Sequence, residues 1–424
     1  MKFDSNQGEG WTVKRIILGS VCLSIAALAS CSEAAPKDDA APAAGTVSTE
    51  GDFARNLQTA LIEAVPGSTV ELPEGHFQLE TGLSLDVDGI TVIGAGSDKT
   101  ILDFSRQTGA GEGLLVTSDN VTLAEFSIRD TKGDGIKSKG ADRITYRDLI
   151  VEWSGDPDET NGAYGVYPVE SRDVLVERVV VRGASDAGIY VGQSKNIIVR
   201  NSVAEYNVAG IEIENSMNAD VYGNIAQHNT GGILVFDLPA LPQTGGHSTR
   251  IFDNQIINNN TRNFSPAGNI VAGVPSGTGV IIMANRNVHV FSNSFSNNRS
   301  AHILMTAYPE PFSDKTYNPV PRDVVLVGNS YSGGGDDPQG MLQPIAEAMG
   351  GILPEIVSDG VVAWEGGSVP TTNIAIQEDE SVGFIDLGIG KYPADPASIA
   401  PSNQRPGATP VEQPSAVVLP QDEN

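Results

Sequence analysis

The chain holds 424 residues, of which 47 are Gly, with 6% aromatic and 19% charged side chains. That length is ample for a buried core, and the abundance of Gly with few helix-forming runs points to many short strands joined by tight turns. With 26 basic against 53 acidic residues, the formal charge of −27 argues against a nucleic-acid partner, disfavours anionic membranes and repels bulk polyanions.

Residues 1–30 read as an export signal: Lys14 and Arg15 give a basic start, and an uncharged stretch over 16–28 follows. A membrane-spanning helix needs about 20 apolar residues, so this stretch is short for a permanent span. It closes on Leu28-Ala29-Ser30-Cys31, which is similar to the lipobox of bacterial lipoproteins. That resemblance implies that Cys31 is diacylated and becomes the first residue of a lipid-anchored protein of the bacterial cell envelope. Ser32, in place of the Asp that signals inner-membrane retention, favours the outer membrane. Cys22 and Cys31 are the only cysteines, so neither a disulfide nor a Cys-based metal site is expected. Residues 31–50 lack apolar periodicity and read as a flexible tether.

Phe53, Leu57, Leu61 and Ile62 stand at helical spacing, which predicts an N-terminal amphipathic helical cap. Beyond it the chain repeats. Gly-apolar steps recur at Gly113, Gly135, Gly165, Gly188, Gly210, Gly232 and Gly279, spaced 22, 30, 23, 22, 22 and 47 residues apart. Each unit opens on an alternating strand such as Gly188-Ile189-Tyr190-Val191 or Gly210-Ile211-Glu212-Ile213, with Ile and Val pointing one way. A second strand follows about eight residues on, and Asn201, Asn224, Asn254, Asn293 and Asn329 mark the next turn, as a stacked Asn ladder would. A coil of about 22 residues with an inward aliphatic column predicts an all-β fold, a single-stranded right-handed parallel β-helix over residues 51–340. Residues 341–392 read as a C-terminal cap region and 393–424, rich in Pro, Ser and Ala, as a disordered tail.

The stretches GASDAGIYVGQSKNIIVRNSVAEYNVAGIEIENS and NTGGILVFDLPALPQTGGH resemble a family of bacterial parallel β-helix repeat lipoproteins of unsettled function. More distantly, they resemble carbohydrate-binding and sugar-hydrolase β-helices, including mannuronan C5-epimerases and the periplasmic copper-maturation factor of nitrous-oxide reduction. The resemblance spans most of residues 52–330. It implies a polysaccharide ligand, or a role beside a periplasmic redox protein.

Between the inward residues, outward side chains form two columns along the coils. One runs Leu115, Lys137, Tyr167, Tyr190, Glu212, Leu234, Ile281, and the other Thr117, Lys139, Val169, Gly192, Glu214, Phe236, Met283. Insertions at 155–163, 237–249 and 261–277 would wall this face into a groove. A groove with cationic, aromatic and acidic stretches suits an extended sugar chain. Candidate catalytic groups are Lys137, Tyr167, Tyr190, Glu212, Glu214 and Asp237, and candidate binding groups are Lys139, Asp186, Gln193 and Phe236. A lyase or epimerase needs a base, an acid and a charge stabiliser, whereas a hydrolase needs two carboxyl groups. The leading expectation is an envelope-anchored protein that binds a glycan or partner protein along this face. The alternatives are a polysaccharide lyase, C5-epimerase or glycoside hydrolase, and a periplasmic metal or redox accessory factor.

Asp156-Pro157-Asp158-Glu159 departs from the Asp-Pro-His-Asp motif of the epimerases by lacking its His, and no Ca²⁺-binding nonapeptide repeats are present. No cofactor is required on this reading, although Asp156, Asp158 and Glu159 could hold Ca²⁺. The five His are scattered, with only His228 and His247 bracketing one coil.

Overall fold

The structure, a computed structural model, describes residues 45–109, 111–395 and 397–420. The export signal, Cys31 and the first part of the tether lie outside the described residues. Among the described residues, no helix is long and apolar enough to cross a membrane.

Three strands complete one turn of the chain. The coil opening with Ala187–Gly192 bends into Lys195–Arg200, then into Val203–Glu205, and returns as Ala209–Glu214. The corners pass through Gln193, Asn201 and Tyr206 with φ of 47°, 52° and 60°, the left-handed geometry that turns the backbone sharply. Successive coils stack into parallel sheets of eleven, twelve and ten strands, and this is a right-handed parallel β-helix. In the first, eleven-stranded sheet, Ile189 pairs with Ile211, Ile211 with Ile233 and Ile233 with Val280. All four are fully buried, so the expected apolar column stands. Burying each such side chain contributes roughly 1.5–3 kcal/mol.

The repeating glycine has a steric cause. A Cβ on Gly210 would lie 2.5 Å from the Gly232 carbonyl oxygen and 2.8 Å from Nδ2 of Asn229. That Asn belongs to a ladder at the return corner, in which Asn207, Asn229, Asn259 and Asn298 bond one to the next at 3.0–3.1 Å. The expected ladder at the preceding corner also forms, linking Asn224, Asn254, Asn293 and Asn329. Asn201 does not join it, because it occupies the exposed left-handed position; the neighbouring Ser202 donates its N–H to Asn224 Oδ1 instead.

Helix Phe53–Glu63 starts at Asp52, whose side chain accepts from the Arg55 N–H. It buries Leu57 and Leu61 against the first coils and stacks Phe53 on Phe77, while Ile62 is 64% exposed. At the far end the sheets run past residue 340. Ile356–Ser358 and Phe384–Asp386 extend the first sheet, and Ala375–Gln377 extends the second. The segment read as a disordered tail is also placed on the coils. Ser402 bridges Asp386, Val417 donates its N–H to Asp220 Oδ2 at 3.0 Å, and Leu419 is fully buried against Leu175 and Ile198. Composition hid this, because two apolar side chains, Val417 and Leu419, meeting outward Leu175 and Ile198 of the second sheet leave no periodic signal.

Candidate functional site

The outward columns of the first sheet are in the expected register. Lys137 pairs with Tyr167, Tyr190 with Glu212, and Gly192 with Glu214. Three tyrosines gather there. Tyr164 and Tyr167 lie on strand Tyr164–Val169, and both pack on Tyr190 with ring centroids 4.6 and 4.9 Å away. Gly192 sets the reach of Tyr190: a Cβ at Gly192 would fall 2.4 Å from the Tyr190 hydroxyl, so only Gly leaves room for the ring. Lying over that gap, Tyr190 donates its hydroxyl to Glu214 Oε1 at 2.5 Å. Gln193 Nε2 donates to the same hydroxyl at 3.2 Å and to Glu214 Oε1 at 3.3 Å. Lys137 closes one side, 4.8 Å from the Tyr167 ring centre and within 3.5 Å of Asp134 and Glu112.

Three carboxyl groups lie behind the rings. Burial, and then the charge of Glu214, push Asp186 up to about 7. Its partners are the Tyr164 hydroxyl and Nδ2 of Asn269, the latter at 3.0 Å. Burial also raises Glu214 to about 7, against the pull of the Tyr190 hydrogen bond. Glu212 has both carboxyl oxygens buried without a hydrogen-bond partner, and burial followed by the charges of Glu214 and Asp186 drives its pKa well upward. An ionised carboxylate without a partner is too costly inside a protein, so Glu212 stays protonated. The same burial raises Tyr190, and it raises Tyr167 to about 12. The site thus pairs two near-neutral acids with phenols that hold their protons.

The expectation of an open groove holds only over the N-terminal coils. Tyr164, Tyr167, Lys137 and Gln193 are half-buried, whereas Tyr190, Glu212, Glu214 and Asp186 keep 4, 1, 6 and 5% of their surface. The insertion at 261–277 folds over the face rather than beside it, laying Val271, Val274 and Ile270 on Leu234 and Ile281. Phe236, expected to meet ligand, is packed into that apolar layer. Asp237 closes the 237–249 loop, accepting from the N–H groups of Gly246 and Gly245 at 2.8 and 3.2 Å. Burial raises it to about 6, and its charge reaches Glu214. Lys139 does not join the cluster; it is exposed and 3.7 Å from Glu170.

Asp156, Asp158 and Glu159 sit on an exposed loop, where Asp158 accepts from the N–H and hydroxyl of Thr160. Among the described residues, no group of three or more His, Cys, Asp or Glu side chains is arranged to hold a metal ion. His228 stacks on Tyr206 at 5.2 Å, and His247 bonds the Ser248 hydroxyl. Sequence reasoning missed Tyr164, Asn269 and Asp134. Tyr164 carried a signal, since it precedes Tyr167 by three residues directly after an insertion; Asn269 carried none, because only the folded loop brings it to Asp186.

A family model described as "Right handed beta helix region" matches residues 88–241 and 159–310. No curated protein matches the chain in sequence. Among solved structures, the A-module of mannuronan C-5 epimerase AlgE4 from Azotobacter vinelandii is similar at 15% identity and a TM-score of 0.50, over 78% of this chain and 91% of that one. A variant of DFA-IIIase from Arthrobacter chlorophenolicus A6 is similar at 13% identity and a TM-score of 0.51, over 84% and 86%. At such identities the likeness is one of fold.

Proposed function

We propose, from the premise that the chain belongs to the right-handed β-helix family, that it binds a polysaccharide along the first-sheet face and transfers a proton on it through Tyr190 and Glu214. The observation that carries this reading is the 2.5 Å hydrogen bond between these two side chains, set directly behind the half-open Tyr164–Tyr167 mouth. An acid whose pKa lies near 7 can both give and take a proton at neutral pH. Half-buried tyrosine rings offer flat apolar faces to a sugar ring, and Gln193 and Lys137 offer donors to its hydroxyls.

The formal charge of −27 selects among glycans. It repels a uronate polymer unless Ca²⁺ bridges the two, so a neutral glycan is the favoured ligand. Hydrolysis is the favoured reaction: Glu214, hydrogen-bonded to Tyr190, gives its proton to the departing glycosidic oxygen, and Asp186 as carboxylate takes a proton from the water that attacks the anomeric carbon. The deep burial of Tyr190 and Glu212 supports a second reading, binding without turnover. Attachment through an acylated Cys31, in the bacterial outer membrane, would hold the site at the cell envelope.

The test is to incubate the full-length protein with a glycan panel, with and without Ca²⁺, following reducing ends and unsaturated-product absorbance. Turnover that disappears in both Tyr190→Phe and Glu214→Gln supports proton transfer. Saturable thermal stabilisation without product supports binding alone, and neither response to any glycan refutes both readings.

A further inference from the structure

A cleft of about 200 Å³ lies away from the carboxyl cluster, where the chain leaves the last coils of the first sheet. Tyr308 and Phe312 form one wall, on the segment after strand Ala301–Thr306. Trp364 and Tyr392 form the other, brought side by side by the bridge between Ala363 and Lys391 and by the 3.0 Å bond from the Tyr392 N–H to the Ala363 carbonyl. The rings are fixed from behind. Tyr317 meets Tyr308 and Phe312 edge-on, at 5.8 and 4.9 Å between centroids. Trp364 lies over Gly367, where a Cβ would come within 2.5 Å of the indole. All four lining rings are half-buried.

Two exposed carboxylates, Glu310 and Glu365, join prolines in the rest of the lining, and among the described residues no Lys, Arg or His contributes to it. Aromatic faces and carboxylates are all electron-rich, so the cleft presents negative potential from every wall. A metal ion or primary ammonium loses strong hydration on entering such rings, whereas a methylated ammonium is weakly hydrated and apolar in its outer shell. The cleft is also small for a drug-sized ligand but adequate for a single head group. We infer that this cleft is a binding site for a quaternary ammonium head group, held by the faces of Tyr308, Phe312, Trp364 and Tyr392 with Glu310 and Glu365 balancing its charge.

The test titrates the full chain with choline chloride and with its uncharged isostere, 3,3-dimethylbutan-1-ol, reading tryptophan fluorescence and heat. Choline is expected to saturate the signal and the isostere to bind at least about tenfold more weakly. Trp364→Leu should abolish saturation, and Glu365→Gln, an exposed change that spares the fold, should weaken choline several-fold without affecting the isostere. Equal binding of the isostere would show an apolar cleft only. Saturation by a neutral sugar in place of choline, or no response to choline up to about 50 mM, would likewise overturn the assignment.

Discussion

Replacing a buried acid should change how stability depends on pH. Glu214 ionises near 4.5 in an unfolded chain and near 7 in the folded one, and Asp186 rises from 3.8 to about 7. Between those values the folded state holds protons that the unfolded state has released, so each group lowers stability as pH rises from about 4 to 7 and then levels off. At roughly 1.4 kcal/mol per pKa unit, removing the Glu214 ionisation should restore about 2 to 3 kcal/mol at pH 8 relative to pH 5. Because part of the Asp186 shift comes from Glu214 itself, changing both groups should restore less than twice that amount. His289, lowered by burial to about 4, acts in the opposite direction over pH 4 to 6.5, and His302, also lowered by burial, acts with the same sign as His289. The readout is therefore variant minus wild type. Urea unfolding of wild type, Glu214→Gln and Asp186→Asn at pH 5 and pH 8 supplies it, urea being uncharged. A variant that gains nothing at pH 8 over pH 5, or loses stability, would refute the burial of these carboxyl groups.

Two further changes probe the scaffold. Asn254 accepts from the Asn224 N–H and Nδ2 at 3.0 Å and donates to Val221 O and Asn293 Oδ1 at 2.9 Å, all in the interior. Asn254→Ala leaves those groups unpaired and should cost at least about 2 kcal/mol, measured as a lowered urea midpoint. Leu419→Asp places a charge at a fully buried position against Leu175 and Ile198. It should release the C-terminal segment, seen as fast proteolysis after residue 400 and faster amide exchange near Ile198, with the coils intact.

The coil was legible in the sequence because its signal is periodic and local. Gly210 and Ile211 must recur wherever the neighbouring coil's carbonyl and the column of Ile side chains approach, so the spacing reports the packing directly. The outward columns followed from the same alternation. The depth of the site was not legible. The cover over this face depends on where the 261–277 insertion lands, and a loop's direction is set by a few tertiary contacts such as Asn269 on Asp186 rather than by any repeat. Asp237 and Phe236 were read as outward groups for the same reason, and the loops above them turned one into a loop clasp and the other into packing. The second Asn ladder was visible in principle, since Asn229, Asn259 and Asn298 keep the same separations as Asn224, Asn254 and Asn293 five residues earlier.

The proposed function requires that a glycan sit on the first-sheet face with Tyr167 at its mouth. Titration calorimetry of glycans that stabilise the wild type, repeated on Tyr167→Ala and Gln193→Ala, tests it most directly. Both side chains are half-buried and lie outside the apolar column, so each variant should fold yet bind at least about tenfold more weakly. Undiminished affinity in both would place the ligand elsewhere and contradict the claim.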